Sequence, residues 1–195
     1  MRLGRMENRL RAFALAAVVW SGAAAAQGPS LSERLETCAA CHGARGASDM
    51  EKIPSLAGQP EFFVMNQLIL MREGVRPIEA MRDVVKDLKD ADVLALAAHF
   101  AKAQPARTAE PVDAARAAAG ASLAEKLRCA SCHLPTYGGQ EQIPRLAGQR
   151  IDYMIDAMKA FRDNTRSGAD TQMAAVLFGL TDAQIEALAH HASSR

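Results

Sequence analysis

The sequence predicts an all-α protein built from two tandem copies of one small helical unit. Three observations carry that prediction. The pentapeptide Cys38-Ala39-Ala40-Cys41-His42 returns 91 residues later as Cys129-Ala130-Ser131-Cys132-His133. The hexapeptide Pro54-Ser55-Leu56-Ala57-Gly58-Gln59 returns 90 residues later as Pro144-Arg145-Leu146-Ala147-Gly148-Gln149. Between and after these segments the apolar residues fall at helical spacing, with no alternating strand pattern.

The chain opens on Arg2, Arg5, Arg9 and Arg11, followed by the uncharged run Ala12 to Ala26. A basic start, a short apolar run and the small residues Ala24-Ala25-Ala26 predict a signal peptide over 1–26, cleaved near Ala26/Gln27. Retention as an anchor is the lesser reading, because the 15 uncharged residues fall short of the ~20 needed to cross a bilayer. No later stretch approaches that length, so the mature chain is expected in the periplasm with at most peripheral membrane association.

In the first unit, Ser30-Leu31-Ser32-Glu33 has the form of a capping box. It opens a helix, with Leu31 and Leu35 on one face, that runs into Cys38. A loop with Gly43 and Gly46 leads to the first hexapeptide. Phe62 to Arg72 then reads as a helix between Pro60 and Gly74. In the second unit Ile151, Met154, Ile155, Met158 and Phe161 trace the corresponding stripe. Both helices end in basic groups, Arg72 and Arg76 in one half, Arg162 and Arg166 in the other. A last amphipathic helix closes each unit, with Val93, Leu96, Ala97 and Phe100, or Ile185, Leu188, Ala189 and Ala192, on its buried face. Thr181 and Gln184 form a second capping box. Residues 104–113, with Pro105 and Pro111, read as the linker between a unit at 27–103 and one at 114–195.

The pentapeptides carry the chemistry. Cysteines three apart on a turn of helix stand near one another, so both thiols reach the two vinyl groups along one porphyrin edge. The following histidine can then offer a ring nitrogen to the iron. This is the C-x-x-C-H pattern of covalent c-type haem attachment, and it occupies all four cysteines of the chain. Cys38, Cys41, Cys129 and Cys132 are the predicted haem-binding residues, and His42 and His133 the predicted iron ligands. A redox dithiol or a joint zinc site would leave both histidines without a purpose.

The second axial ligand separates electron transfer from ligand chemistry. A ligand should recur at equivalent places in both units, and Met81 and Met173 do so, 92 residues apart and each seven residues before a matching leucine. Both are expected in a loop after the second helix. Met65, Met71, Met154 and Met158 sit at core spacing instead. The rival pair is His99 and His191, also 92 residues apart, which would give bis-histidine haems. His190 has no counterpart and is expected at the surface. The carbonyls of Pro54 and Pro144 are candidates to orient the ligand histidines. Arg72, Arg76, Arg162 and Arg166 are candidates to pair with haem propionates.

Composition agrees. Aromatic residues make up 5% of the chain, and Trp20, its one tryptophan, lies in the leader. Each unit is small for a self-sufficient core, and a buried macrocycle would supply the missing apolar surface. The net charge is +1, but the leader's four arginines against Glu7 leave the remainder at −2. Two haems would add four propionates, so a nucleic-acid partner is not expected.

With both motifs, the P-x-L-A-G-Q segments, the arginine-bearing helix ends and the paired methionines in view, the chain resembles the dihaem cytochrome c4 family. The resemblance implies two tandem class I cytochrome c folds related by a pseudo-twofold, with haem propionate edges facing one another. It implies two covalently bound haem c groups, ligated by His42 with Met81 and by His133 with Met173. It further implies an exported electron carrier and no enzyme, working with redox partner proteins. The donor would be a quinol-oxidising complex or a dehydrogenase, and the acceptor a haem–copper oxidase. The alternatives are a haem enzyme of peroxidase or thiosulfate dehydrogenase type, or a dedicated cytochrome subunit of a dehydrogenase. The chain departs from the family pattern in carrying Met71 opposite Phe161, Leu134-Pro135 after the second motif, and a short segment between Arg76 and Met81.

Overall fold

The computed structural model describes residues 28–105, 107, 110–168 and 170–195, so the leader expected at 1–26 lies outside the described residues. Helices α1 (Leu31–His42), α2 (Glu61–Arg72), α3 (Glu79–Val85) and α4 (Asp90–Lys102) form the first half. Helices α5 (Ala114–Lys126), α6 (Ala130–His133), α7 (Ile151–Arg162), α8 (Thr171–Leu177) and α9 (Asp182–Ser193) form the second. Among the described residues the fold is all-α, in two tandem helical units.

Local chemistry starts and stops these helices. Ser30 and Glu33 cap α1 reciprocally, as do Thr181 and Gln184 at α9. One helix carries the first pentapeptide, whereas Arg128, at φ +59, breaks the second helix into α5 and α6 just before Cys129. The first core gathers Val64, Val85, Leu88, Val93, Leu96, Ala97 and Phe100. In the second half, Ile151 and Met154 of α7 pack with Ala189 and Ala192 of α9, while Leu188 turns to Ala124 of α5 and Leu177 of α8. The helical stripes expected from sequence therefore face these cores.

The two halves differ most where their first and last helices cross. α5 lies along α9 over most of its length, while α1 meets α4 lightly. Gly120 permits the close approach, since a Cβ there would stand 2.0 Å from the Ala187 carbonyl oxygen and 2.8 Å from His191 Cβ. On an isolated helix Gly→Ala stabilises by about 1 kcal/mol; here overpacking reverses the sign.

The seam between the halves is built from the hexapeptide repeat. Gln59 Nε2 donates to the Arg145 carbonyl at 2.9 Å, and its Oε1 accepts from the Arg145 N–H at 3.0 Å. Gln149 makes the matching pair with the Ser55 backbone, both bonds at 2.8 Å. Residue i meets j while j's counterpart meets i's, the self-complementary pattern of a twofold interface. Both glutamines are about 95% buried, at 4% and 5% exposure, so every polar atom in the exchange needs its partner.

A second tie runs through Asp152. Its carboxylate accepts from the Lys52 N–H at 2.9 Å across the seam and from Arg150 at 2.7 and 3.0 Å. Glu110, ahead of α5, accepts from the Ile151 and Asp152 N–H groups at 2.7 and 3.1 Å, placing a carboxylate on the N-terminus of α7. Burial works against ionisation of Asp152, but Arg150 and the backbone donors outweigh it and hold its pKa below the usual aspartate value.

Three outcomes test this packing. Gly120→Ala is expected to destabilise by about 1–3 kcal/mol, read from urea unfolding followed by helical circular dichroism. Gln149→Ala strands a buried N–H and a buried carbonyl at Ser55, each worth about 1–3 kcal/mol, and should separate the unfolding of the two halves in denaturant titrations. A carboxylate held low in the folded state stabilises above its unfolded pKa and loses that contribution as pH falls through the folded value. Below about pH 4, the thermal midpoint should therefore drop more steeply in the natural protein than in Asp152→Asn.

Candidate haem sites

His42 closes α1 and His133 closes α6, both at 7% exposure. His42 Nδ1 lies 2.8 Å from the Pro54 carbonyl, and His133 Nδ1 lies 3.0 Å from that of Pro144. A carbonyl only accepts, so Nδ1 carries the proton and Nε2 keeps its lone pair. Burial pushes both imidazole pKa values down, more than the carbonyl bonds raise them. Each ring is therefore held neutral and in one tautomer, the form that ligates iron.

The hexapeptide fixes that carbonyl. In the first half the Leu56 and Ala57 N–H groups bond to the Gly46 carbonyl, and the Gly58 N–H bonds to the Phe100 carbonyl at 2.8 Å. In the second, Leu146 and Ala147 bond to the Tyr137 carbonyl, and Gly148 to that of Ser193 at 3.1 Å. Gly58, at φ +69, would thrust a Cβ to 2.4 Å from Pro105 Cγ. One segment thus sets the histidine, ties to the last helix and reaches across the seam.

All four thiols are free. Cys38 and Cys129 are half-buried, and burial raises their pKa; Cys41 and Cys132 are exposed. The two C-x-x-C pairs stay in separate halves, and among the described residues no group of three or more His, Cys, Asp or Glu side chains gathers as a zinc site would require.

The methionines differ from expectation in their local structure. Met81 and Met173 lie on short helices, each as the third residue, of α3 and α8 respectively. Asp170 accounts for α8, accepting from the Gln172 N–H at 2.7 Å as its N-cap. Their equivalence holds: Met81 packs on the cluster that Cys38 joins, and Met173 on the cluster that Cys129 joins. His99 is exposed on α4, whereas His191 is half-buried against the edge of the Tyr137 ring, 5.3 Å away. His99 also stands edge-on to a ring, that of Phe100 at 5.4 Å, so the rival pair differs in exposure rather than in ring contact. His190 is not at the surface: it is 7% exposed and accepts the Asp113 N–H at 3.1 Å, joining the start of α5 to α9.

The four arginines divide into two kinds. Arg72 donates to the Leu88 carbonyl and to Asp90, both at 2.9 Å. Arg162 does the same to the Leu180 carbonyl at 3.1 Å and Asp182 at 2.6 Å. Each closes the segment that carries its methionine, end to end. Arg76 and Arg166 have no carboxylate partner among the described residues. Arg76 bonds Gln67 Oε1 at 2.6 Å, and Arg166 stacks 4.8 Å over the Phe161 ring. The Nε of Arg76 is buried with no hydrogen-bond partner among the described residues. Cations so placed call for an anion, and the carboxylates of a haem edge fit that need.

Around the methionines the surfaces diverge. α3 carries the ion pairs Arg82–Glu79 and Lys86–Asp83, while α8 presents Ala174, Ala175, Val176 and then Phe178, which is 81% exposed.

Two helical units, each ending a helix on a neutral buried histidine beside two thiols, define an all-α dihaem c-type cytochrome with tandem class I folds. A family model for cytochrome c matches residues 117–194. The thiosulfate dehydrogenase electron acceptor of Thiomonas intermedia is 35% identical, over 94% of this chain and 89% of its own length. Cytochrome c4 of Pseudomonas aeruginosa is 32% identical, over 79% of this chain and 81% of its own. The crystal structure of reduced cytochrome c4 from Pseudomonas stutzeri superposes with a TM-score of 0.76 at 28% identity, covering 85% of this chain and 98% of that one. The chain belongs to the cytochrome c4 family. Its relatives are dihaem electron carriers, and the two pentapeptides give this protein two covalently bound haem c groups.

Proposed function

We propose that the chain is a periplasmic carrier that takes electrons from a quinol-oxidising complex or a dehydrogenase and delivers them to a haem–copper oxidase, without itself transforming a substrate. Cys38 and Cys41 hold one haem by thioether bonds, and Cys129 and Cys132 the other. His42 with Met81, and His133 with Met173, complete the two iron coordination spheres. One observation carries this reading: in both halves a buried histidine is fixed through Nδ1 to a proline carbonyl, while a methionine at the same helical position packs on the same core as the first cysteine.

A bound haem iron supplies reversible one-electron exchange between ferrous and ferric states. The residues of the chain keep that exchange easy. Pro54 and Pro144 stop the histidines from turning, and Arg72 and Arg162 hold the methionine segments shut. The ligand set then stays the same in both oxidation states, and a thioether sulfur favours the ferrous one. Contact with partners is expected to be small and transient.

A second reading for the donor has a specific observation behind it. The similarity to a relative described as a thiosulfate dehydrogenase electron acceptor extends over 94% of this chain. A thiosulfate dehydrogenase is therefore a particular candidate for the electron-donating enzyme.

The test is a redox titration of the purified mature protein followed by visible and near-infrared absorption. Two haems, each with the far-red methionine–ferric band, are expected. Met81→Ala and Met173→Ala should each abolish that band for one haem and lower its potential. A variant that leaves both haems spectroscopically unchanged would show the ligand to be another residue.

A further inference from the structure

We infer that Arg76 and Arg166 form one shared positive site at the seam, joined by Tyr153, which raises the potentials of both haems together. The inference rests on the two-haem reading above. The two arginines occupy equivalent places, 90 residues apart. Each follows a left-handed residue, Gly74 at φ +71 or Asn164 at φ +53. Each donates its N–H back to the preceding helix, Arg76 to Leu70 at 2.9 Å and Arg166 to Ala160 at 3.1 Å. A seam with twofold character brings such equivalents together. Here Gly168 lies against the other half, where a Cβ would stand 3.3 Å from Val75 Cγ1 and 3.6 Å from Arg76 Cβ.

Tyr153, on α7, is the side chain on which both guanidinium groups act. Burial opposes ionisation of its phenol, yet Arg166 and Arg76 outweigh burial and draw its pKa below the usual value. Arg76 itself is pushed down by burial, and Arg166 adds to that by like-charge repulsion. Two cations therefore share a partly buried space beside Gln67, the Phe161 ring and Tyr153, with no carboxylate partner for either among the described residues. Like charges gathered without a carboxylate are costly, so the arrangement is explained by carboxylates supplied from both sides of the seam.

The cluster is not symmetric, and its asymmetry gives the inference its reach. Repeat equivalence sets Phe63 against Tyr153, Ala157 against Gln67, and Met71 against Phe161. Arg166 finds both of its partners, the Phe161 ring and Tyr153, in its own half. Arg76 finds Gln67 in its own half and Tyr153 in the other. A charge belonging to the first half is thus held against the second. Oxidation adds a positive charge at iron, so a nearby fixed cation favours the ferrous state, and Arg76 does so for both irons.

The test is spectroelectrochemical titration of the dihaem protein, with each haem assigned from its methionine methyl signals in NMR spectra. Arg76→Gln is expected to lower both potentials, by roughly tenfold in the ferrous-to-ferric ratio at fixed poise, about 59 mV for one electron. Arg76→Lys keeps the charge and should restore most of the shift. Arg166→Gln reads the same site from the other half and should also move both haems, which keeps the test decisive should Arg76→Gln fail to fold. Tyr153→Phe should alter the spacing between the two potentials while both haems and their spectra are retained. A shift confined to the haem of the substituted half, or none in either, overturns the shared site and leaves the electron-carrier reading standing. A natural protein that shows fewer than two histidine–methionine haems overturns both.

Discussion

A proline carbonyl fixing a histidine ring is the interaction on which most of this molecule turns. The bond at 2.8 or 3.0 Å sets which nitrogen carries the proton and where the other one points. That carbonyl cannot wander, because the residues after it are used up in succession. Two N–H groups bond to a loop carbonyl, a glycine N–H reaches the end of the last helix, and a glutamine crosses to the opposite half. Disturbing the seam therefore disturbs the histidine. The orientation of the histidine and the pairing of the halves share one six-residue element.

A helix-end arginine ties together the two ends of the methionine segment, and the same pattern holds for Arg72 and Arg162 down to the carbonyl chosen. The halves part company elsewhere. The second unit adds turns to its first helix and packs them on α9 through Gly120, where the first unit has Pro29, just before α1 begins. It also replaces the charged surface of α3 with an apolar one at α8. The framework proposed to hold iron is duplicated faithfully, while the outer surfaces are not.

Much of this was legible in the sequence because repetition acts as an internal control. The pentapeptides, the apolar faces of α4 and α9, both capping boxes and both proline carbonyls could be read directly, since each depends on local spacing. What escaped was non-local. Gln59 and Gln149 were visible as a repeated residue, yet their partners lie more than eighty residues away. Arg72 resembles Arg76 in composition and neighbourhood, and only the fold separates a clamp from an unpaired cation. The helices around Met81 and Met173 are too short to leave a period. His190 looked superficial because the segment that buries it, at Asp113, is far off in the chain.

The reciprocal glutamine exchange is the kind of contact by which two separate, identical molecules recognise each other. Placing both copies on one polypeptide keeps them at high effective concentration however dilute the protein becomes. It also frees them from identity. In a pair of separate copies any substitution strikes both faces at once, so Tyr153 could not arise without a second tyrosine opposite it. Here Phe63 in one half stands where Tyr153 stands in the other, and one covalent chain has a front and a back.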